Sequence, residues 1–353
     1  MRASRRWPVL LLLPGLFAQA AVAAAQEDAD SGVAPAVGRS VSIEATHGEV
    51  AAPRGGPACQ PAKGKCPACK AKKAADLKKA VAGAYAPLFY NNNFAYLNNP
   101  AYKDWHFGEC LKQVPIGDCW IVDLGGQYRA RYHGERNHRG LGLTGRDDDF
   151  LLHRTRLFAN AKYGDCLRFY GEYIDAASDF ENFPPRAIEV NRSDLLNLFA
   201  DARAIDGDSG DLWLRVGRQE LLYGSERLVS PLDWANTRRT FEGFKLFWQG
   251  DDWNVDLFAT RPVIVDPVHF DKPDNDQEFL GAWATYKAVP GQTYDLFAIQ
   301  YNNSAGANDF QFTTLGGRWL GSQESWLWEA EGGVQLGDNL HFPESHVVTR
   351  PSL

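Results

Sequence analysis

Residues 120–133 read WIVDLGGQYRARYH, and apolar and polar positions alternate along this stretch. The even positions, from Trp120 to Tyr132, are mostly apolar or aromatic, whereas the odd positions include Arg129 and Arg131. A period of two is that of a β-strand whose two faces lie in unlike environments. Aromatic residues near both ends of the apolar face fit the wall of a membrane barrel. The stretch therefore predicts a barrel strand if the rest of the chain repeats its pattern.

Composition restricts the class of protein. The chain has 353 residues with 12% aromatics, 11 of them Trp, and its mean hydropathy is −0.37. Such a value excludes a bundle of transmembrane helices but not a barrel, in which only alternate residues must be apolar. The formal net charge of −7 lacks the basic character of a nucleic-acid-binding protein, so no nucleic-acid partner is predicted.

The N-terminus has the layout of a secretory signal peptide, predicted over residues 1–25. Three arginines lie within the first six residues, an apolar run follows at 8–17, and small-residue cleavage sites lie at 21–25. An uncleaved membrane anchor is the alternative, but a Pro-Gly pair interrupts the short apolar run. No Cys follows the cleavage site, which disfavours a lipoprotein. The mature protein is expected to be exported.

Two segments separate the signal peptide from the first strand. Residues 26–84 are rich in Ala, Pro and Lys, and contain too few large apolar side chains to fold alone. They predict a flexible linker with a short basic helix at 74–83, and the linker could bind a periplasmic export or cell-wall partner. Residues 85–119 are dense in aromatics and Asn, and predict an ordered segment, here called the lead-in, that packs against the domain.

Strand patterns recur from residue 120 to residue 337, with Gly217 predicted to mark a bulge. Most have about the ten residues that a tilted membrane strand needs. The connections alternate between short turns and longer loops, as in outer-membrane barrels with periplasmic turns. The fold predicted is an all-β antiparallel transmembrane barrel. Its eleven strands are expected at 120–133, 149–163, 167–176, 194–203, 211–223, 240–249, 253–261, 277–287, 293–302, 309–320 and 326–337.

An odd number of strands conflicts with the even number found in single-chain bacterial barrels. Residues 338–353 show no alternation and do not end in an aromatic residue, so an unstructured tail is predicted there. The chain is therefore expected to be an incomplete barrel, missing the strands that would close it.

Several motifs resemble those of the alginate-export outer-membrane family. They include LRFYGEYIDA at 167–176 and GRQELLYGSERL at 217–228, the latter followed by Trp and RRTFEG. The resemblance covers roughly residues 85–337. It implies an eighteen-stranded monomeric barrel in the outer membrane, whose arginine-rich lumen passes an anionic polyuronate such as alginate. This chain departs from the family pattern by ending early.

Parity places a set of basic side chains in the predicted lumen. Arginine binds carboxylates through a planar fork and keeps its charge at ordinary pH. Rows of arginines could pass a uronate chain from site to site if each site binds weakly. Alternatively, these side chains only pair with lumen carboxylates, such as Asp123 and Glu172. The basic positions are Arg129, Arg131, Arg154, Arg156, Lys162, Arg168, Arg203, Arg215 and Lys245, and the family-like segment adds Arg238 and Arg239 at the outer mouth.

The six cysteines predict neither haem attachment nor a zinc site. Cys66 and Cys69 form a CxxC motif near Cys59, but it is followed by Lys and lacks a paired motif or a nearby His. Cys119 and Cys166 both follow Gly-Asp at the same predicted edge of neighbouring strands. A disulfide, or a close approach, is predicted between them.

Three functions are compatible with these features. The first is export of an anionic polysaccharide through an outer-membrane channel, and the second is a general or nutrient-uptake porin of the same architecture. The third, a secreted β-rich polysaccharide-active enzyme, requires a clustered general acid and base. The carboxylates are instead spread along the strands, so no enzyme activity, catalytic residue, cofactor or metal is predicted. The expected partners are the anionic polysaccharide and outer-membrane lipid.

Overall fold

A computed structural model describes residues 67–139, 142–306, 309–339 and 342–352, without the side chains of 67–74 and 338–352. This part of the chain contains one α-helix, α1 (Pro67–Ala82), and three 3-10 helices, Phe89–Asn91, Ala95–Asn98 and Glu109–Leu111. The strands are β1 Val114–Ile116, β2 Trp120–Glu135, β3 Asp148–Tyr163, β4 Leu167–Asp179, β5 Asn191–Gly207, β6 Gly210–Gln219, β7 Phe241–Gly250, β8 Trp253–Ile264, β9 Lys272–Pro273, β10 Gln277–Tyr286, β11 Gln292–Asn303, β12 Phe310–Gln323, β13 Trp326–Asn339 and β14 Phe342–Ser352.

The strands form one antiparallel sheet in which each long strand pairs with its neighbours in sequence. The order runs from β1 to β8, continues from β10 to β14, and leaves β9 paired only with β8. This arrangement confirms the all-β antiparallel class that the alternating pattern predicted. Within the described ranges, no helix combines the length and the apolar character needed to cross a membrane.

The two faces of the sheet have opposite character. On one face, here called the outer face, large apolar side chains are solvent-exposed, such as Leu157 (54%) and Phe244 (57%). On the other, the inner face, charged side chains such as Arg156 and Asp201 are buried. A soluble protein would hide the first set and expose the second. A sheet whose apolar face contacts lipid has the pattern observed here.

Aromatic side chains collect at one end of the sheet. Trp120 packs on Tyr163 with ring centroids 5.1 Å apart, and Trp253 on Tyr286 at 4.7 Å. Both pairs lie where the strands meet short turns. Tyr and Trp are favoured at a membrane interface because their rings are apolar and their polar atoms remain wet. This end, here called the lower end, therefore resembles one of the two aromatic girdles of a membrane barrel.

The connections differ in length between the two ends, as predicted. Those at the lower end are short, and most of those at the upper end are longer. The loop after β6 folds over the inner face, where it contacts Arg129 and Arg154. The short turns span 164–166, 208–209, 251–252, 287–291 and 324–325, and the longer loops span 136–147, 180–190, 220–240, 265–276 and 304–309.

The structure corrects the predicted tail. Residues 342–352 form β14, which pairs with β13, so the tail of 338–353 is not unstructured. Two prolines and adjacent valines hide the alternation of this strand. Within the described residues β14 is an edge strand, where prolines are tolerated. With β14 the long strands number twelve rather than eleven in the described part, which removes the parity argument for an incomplete barrel.

The segments before β1 compare with their predictions as follows. The helix expected at 74–83 begins earlier, at Pro67, so part of the predicted linker is helical. Residues 1–66, including the signal peptide and most of the linker, lie outside the described ranges. The lead-in folds onto the inner face, where its side chains and Ala84 form a core with the wall. The buried members of this core are Ala84, Leu88, Tyr90, Phe94, Tyr96, Phe158, Tyr170 and Phe199.

Gly217 is not at a bulge, since it pairs in register with Phe199 and Gly243. Its special feature is a φ of +129°, which L side chains rarely adopt. A Cβ at this position would also collide with the backbone oxygen of Leu198.

Gly217→Ala is therefore expected to lower the free energy of unfolding by about 2 kcal/mol or more. Gly171→Ala is the matched control, since a Cβ there would lie 3.8 Å from its nearest neighbour, Leu198 Cδ1. The control should change stability by no more than about 0.5 kcal/mol. Urea unfolding in lipid vesicles, followed by tryptophan fluorescence, measures both. Equal stability of the two variants would contradict this account of Gly217.

Candidate functional site

A row of polar side chains crosses the inner face near its lower end. Asp201 on β5 accepts two hydrogen bonds from Arg215 on β6, at 2.7 and 2.9 Å, and lies 3.6 Å from Arg168 on β4. Lys245 on β7 lies 2.6 Å from Asp256 on β8. Arg215 and Lys245 are register neighbours of like charge, and each has a carboxylate on its other side, Asp201 and Asp256 respectively. This row, here called the lower belt, consists of Asp123, Asn160, Arg168, Asp201, Arg215, Lys245 and Asp256.

A second group lies above the lower belt and is fully buried. Arg156 donates to Glu172 at 2.5 Å and lies 3.5 Å from Glu220. Asn197 donates to both carboxylates at 3.0 Å, and Arg238 forms an ion pair with Glu220. This group, the Glu172 cluster, joins β3, β4 and β5 to the loop after β6. Two arginines neutralise two carboxylates, so the cluster has no excess charge.

Arginines converge above this cluster on a turn of the same loop, residues 233–236. Arg129 donates to the backbone oxygens of Asp233 and Ala235 at 2.9 and 3.0 Å. Arg154 binds the Asp233 carboxylate at 2.9 Å, and Arg238 pairs with it as well. Burial raises the pKa of Asp233, but the positive charges of Arg238 and Arg154 outweigh this effect and lower it. Around this turn, here called the Asp233 turn, positive charge exceeds negative charge.

The remaining predicted positions differ in their surroundings. Arg131 and Lys162 are half-buried and Arg239 is exposed, and none of the three has an ion pair within the described residues. Arg203 lies near the lower end, 3.3 Å from Asp206 and 4.0 Å from Asp211.

The predicted set thus separates into two classes. The structure brings most of it together on one face, but as paired charges rather than as a row of free arginines. Six basic side chains and Arg238 have carboxylate partners, whereas Arg129 donates hydrogen bonds to neutral acceptors only. The paired members are Arg154, Arg156, Arg168, Arg203, Arg215, Lys245 and Arg238.

Sequence reasoning missed the part played by the loop after β6. Residues 220–223 were expected to continue the strand, but β6 ends at Gln219 and the loop turns inward. Glu220 and Asp233 then become the carboxylates that neutralise the arginines above the lower belt. The available signal was the loss of alternation after Gly217, which predicted a bulge instead of an inward loop.

The predicted disulfide is absent from the structure. Cys119 and Cys166 are both free and exposed, as is Cys110. The strand ends do meet, since the Cys119 carbonyl accepts a hydrogen bond from Gly164 at 2.9 Å. The Cys166 thiol points to a carbonyl of its own turn, that of Tyr163 at 3.7 Å, rather than to Cys119. Cys59 and Cys66 lie outside the described residues, as does the side chain of Cys69.

The ion pair between Arg215 and Asp201 leads to a test of stability. Arg215→Met should lower the free energy of unfolding by about 3 kcal/mol, because it leaves Asp201 buried without its bidentate partner. Arg131→Met removes the same charge from an inner-face site that has no ion pair in the described structure, and should cost less than about 1 kcal/mol. Urea unfolding of the reconstituted protein measures the difference. A larger loss for Arg131→Met than for Arg215→Met would contradict the assignment.

Comparison with known protein families supports this architecture. A family model described as alginate export matches residues 121–349, which is more than half of the chain. The match begins within one residue of β2 and extends into β14, so it covers the sheet described above. A comparison with curated protein sequences gives no match. The antiparallel sheet, its apolar outer face and the extent of the family match together show that the chain belongs to the alginate export family.

Proposed function

We propose that this protein is an outer-membrane channel that exports an anionic polysaccharide of the alginate type. Family membership supports polysaccharide export in general. The observation that carries the more specific proposal is the excess of positive charge around the Asp233 turn. There, Arg129, Arg131 and Arg154 lie near the single exposed carboxylate of Asp233, while Arg238 is shared between Asp233 and Glu220. An anionic polymer passing this turn would meet more positive than negative charge.

The side chains best placed to contact a polymer are those without an ion pair. Arg131 and Lys162 lie on the inner face and are half-buried, so each keeps part of its surface accessible. Arg129 uses its guanidinium only on neutral acceptors of the Asp233 turn. A uronate carboxylate could approach these groups without breaking a buried ion pair. Binding of this kind is weak, which conduction along a chain of sites requires.

The Arg154 ion pair offers a further contact. Arg154 is buried, but the side chain of its partner Asp233 is 59% exposed. An exposed carboxylate gains little from pairing because water screens it. A uronate group could therefore replace Asp233 as the partner of Arg154 at a small net cost. The buried pairs of the lower belt and the Glu172 cluster, in contrast, are expected to maintain the shape of the wall.

A general or nutrient-uptake porin of the same architecture is the second candidate. It is favoured by the pairing itself, since most inner-face arginines already have carboxylate partners. Such a channel would pass small solutes with little charge preference. Interaction with uronate oligomers separates the two candidates, because only the first requires preference for a polyanion over a neutral glucan of equal length.

The proposal is tested by charge reversal at positions that do not hold the wall together. Arg131→Glu combined with Lys162→Glu should lower the anion-over-cation permeability ratio by about threefold, because both charges face the pathway. Current block by a trimannuronate should weaken in parallel, whereas block by maltotriose should not change. Reversal potentials in planar bilayers under a KCl gradient provide the measurement.

Arg136→Glu serves as the control. Arg136 carries the same charge but is exposed and pairs with Asp149 beside Tyr132, on the outer face. It should leave selectivity unchanged. The uptake porin becomes the better supported function in either of two cases. In the first, the inner-face variant keeps the wild-type permeability ratio of anions over cations. In the second, wild-type protein does not distinguish trimannuronate from maltotriose.

A further inference from the structure

The lead-in covers the charged wall of the pathway from inside. Phe89 lies under the guanidinium of Arg156, 3.8 Å from its carbon to the ring centroid. Tyr90 lies 4.6 Å from the Arg215 guanidinium, and its carbonyl accepts a hydrogen bond from Arg168. These are three of the basic residues that the sequence assigned to the lumen. The lead-in therefore occupies the space that a polymer would need in order to reach them.

The contacts fit the wall closely. The Tyr90 hydroxyl donates to the Glu220 carbonyl at 2.6 Å, and the ring packs edge-on against Phe199 at 5.2 Å. Lys112 places its ammonium group 4.7 Å above the Phe158 ring and donates to the Leu124 carbonyl. A Cβ at Gly125 would come close to this ammonium group and to the Phe158 ring, so a larger residue there would force one of them to shift. Cation–π contacts of this kind strengthen when they are desolvated.

Before β1, the backbone of the lead-in nevertheless shares no strand ladder with the sheet in the described part of the chain. In the described residues, its backbone–backbone hydrogen bonds before β1 are local, for example from Asn91 to Leu88 and from Asn93 to Ala84. Its contacts with the wall above the lower end are made mainly by side chains, and the Tyr90 carbonyl accepts a hydrogen bond from the side chain of Arg168. Removal of the segment from the inner face would therefore leave the strand ladders intact. A segment that formed part of the wall would instead share a ladder with it.

The lead-in also has a fixed end and an internal core that would hold it together when displaced. β1 pairs with the start of β2, and Gln113 just before it donates twice to Asp123, at 2.7 and 3.0 Å. Within the segment, Glu109 accepts hydrogen bonds from Tyr96 and Tyr102 at 2.8 and 2.6 Å. Burial raises the pKa of Glu109, but these bonds and one from the His106 backbone outweigh it and lower the pKa to about 2.

We propose that the lead-in is a plug that closes the pathway at rest and must leave the inner face for a polyanion to pass. The plug fills the space beside Arg156, Arg168 and Arg215, so it and a polymer cannot occupy this part of the inner face together. The ion pairs of these three arginines need not break when the plug leaves. The inference rests on the proposed function, since it specifies how that pathway is closed.

A photo-crosslink tests the plug without weakening the fold. Replacing Phe89 by p-benzoylphenylalanine in the full chain places the reactive ketone against β3. Illumination should join position 89 to a β3 peptide containing Phe158, and should lower mean conductance in planar bilayers by about threefold or more, because the open state is removed. The same replacement at Phe107, which is 92% exposed, is the control and should leave conductance unchanged.

Loosening the plug should have the opposite effect. Tyr90→Ala removes the bond to Glu220 and the ring contacts, and mean conductance should rise by about tenfold as the closed state loses support. Heat-modifiable migration in gels shows whether the variant is folded. If it is not, the crosslink at position 89 and its effect on conductance still test the plug. The plug is refuted if position 89 forms no crosslink to β3, or if it crosslinks and conductance stays the same.

The outcomes distinguish the plug from the proposed export of a polyanion, on which it rests. If selectivity responds to Arg131→Glu with Lys162→Glu but crosslinking leaves conductance unchanged, only the plug is wrong. If crosslinking closes the channel but trimannuronate is not preferred to maltotriose, the plug remains and the export of a polyanion is wrong.

Discussion

The structure depends on one constraint, which is that each charge buried on the inner face must be neutralised by a partner within reach. Arg156 and Arg215 are almost completely buried, and an unpaired guanidinium in such a place would carry a large desolvation penalty. Asp201 and Glu172, each on the strand next to its arginine, supply the opposite charges. Above the lower belt, Glu220 and Asp233 of the loop after β6 neutralise arginines of the sheet. The wall and this loop therefore depend on each other electrostatically.

This constraint divides the basic residues by role. Paired arginines hold strands and loops together, and their loss would leave carboxylates buried alone. Arg131, Lys162 and Arg129 form no ion pair in the described structure, and on the proposed function their charge would attract a passing anion. The same division explains why the lead-in can lie on Arg156 and Arg215 without a carboxylate of its own at the contact. It needs only aromatic faces and carbonyls, because the ion pairs already satisfy most of the charge beneath them.

The fold was largely predictable from the sequence, and the site only in part. Strict alternation, as in residues 120–133, fixes which face each side chain occupies, and the eleven predicted strands all appear. β14 was missed because Pro343, Pro351 and adjacent valines obscure its period.

Pairing between side chains could not be predicted because it depends on register and on loops that fold inward. Glu220 and Asp233 show this, since neither lies on a strand that parity could orient. For Cys119 and Cys166 a disulfide or a close approach was predicted; the strand ends meet but both thiols are free in the structure, because proximity of strand ends does not determine where the thiols point.

The central claim is that one face of this sheet contacts lipid and the other lines a polar pathway. Spin labels at single cysteines test it most directly, in a variant whose six native cysteines are replaced by serine. In lipid vesicles, labels at Leu157 and Leu257 on the outer face should be accessible to oxygen and protected from a nickel chelate. Labels at Arg131 and Lys162 should show the reverse. If the labels at 131 and 162 instead collide mainly with oxygen, these positions face lipid and the pathway assigned to the inner face does not exist.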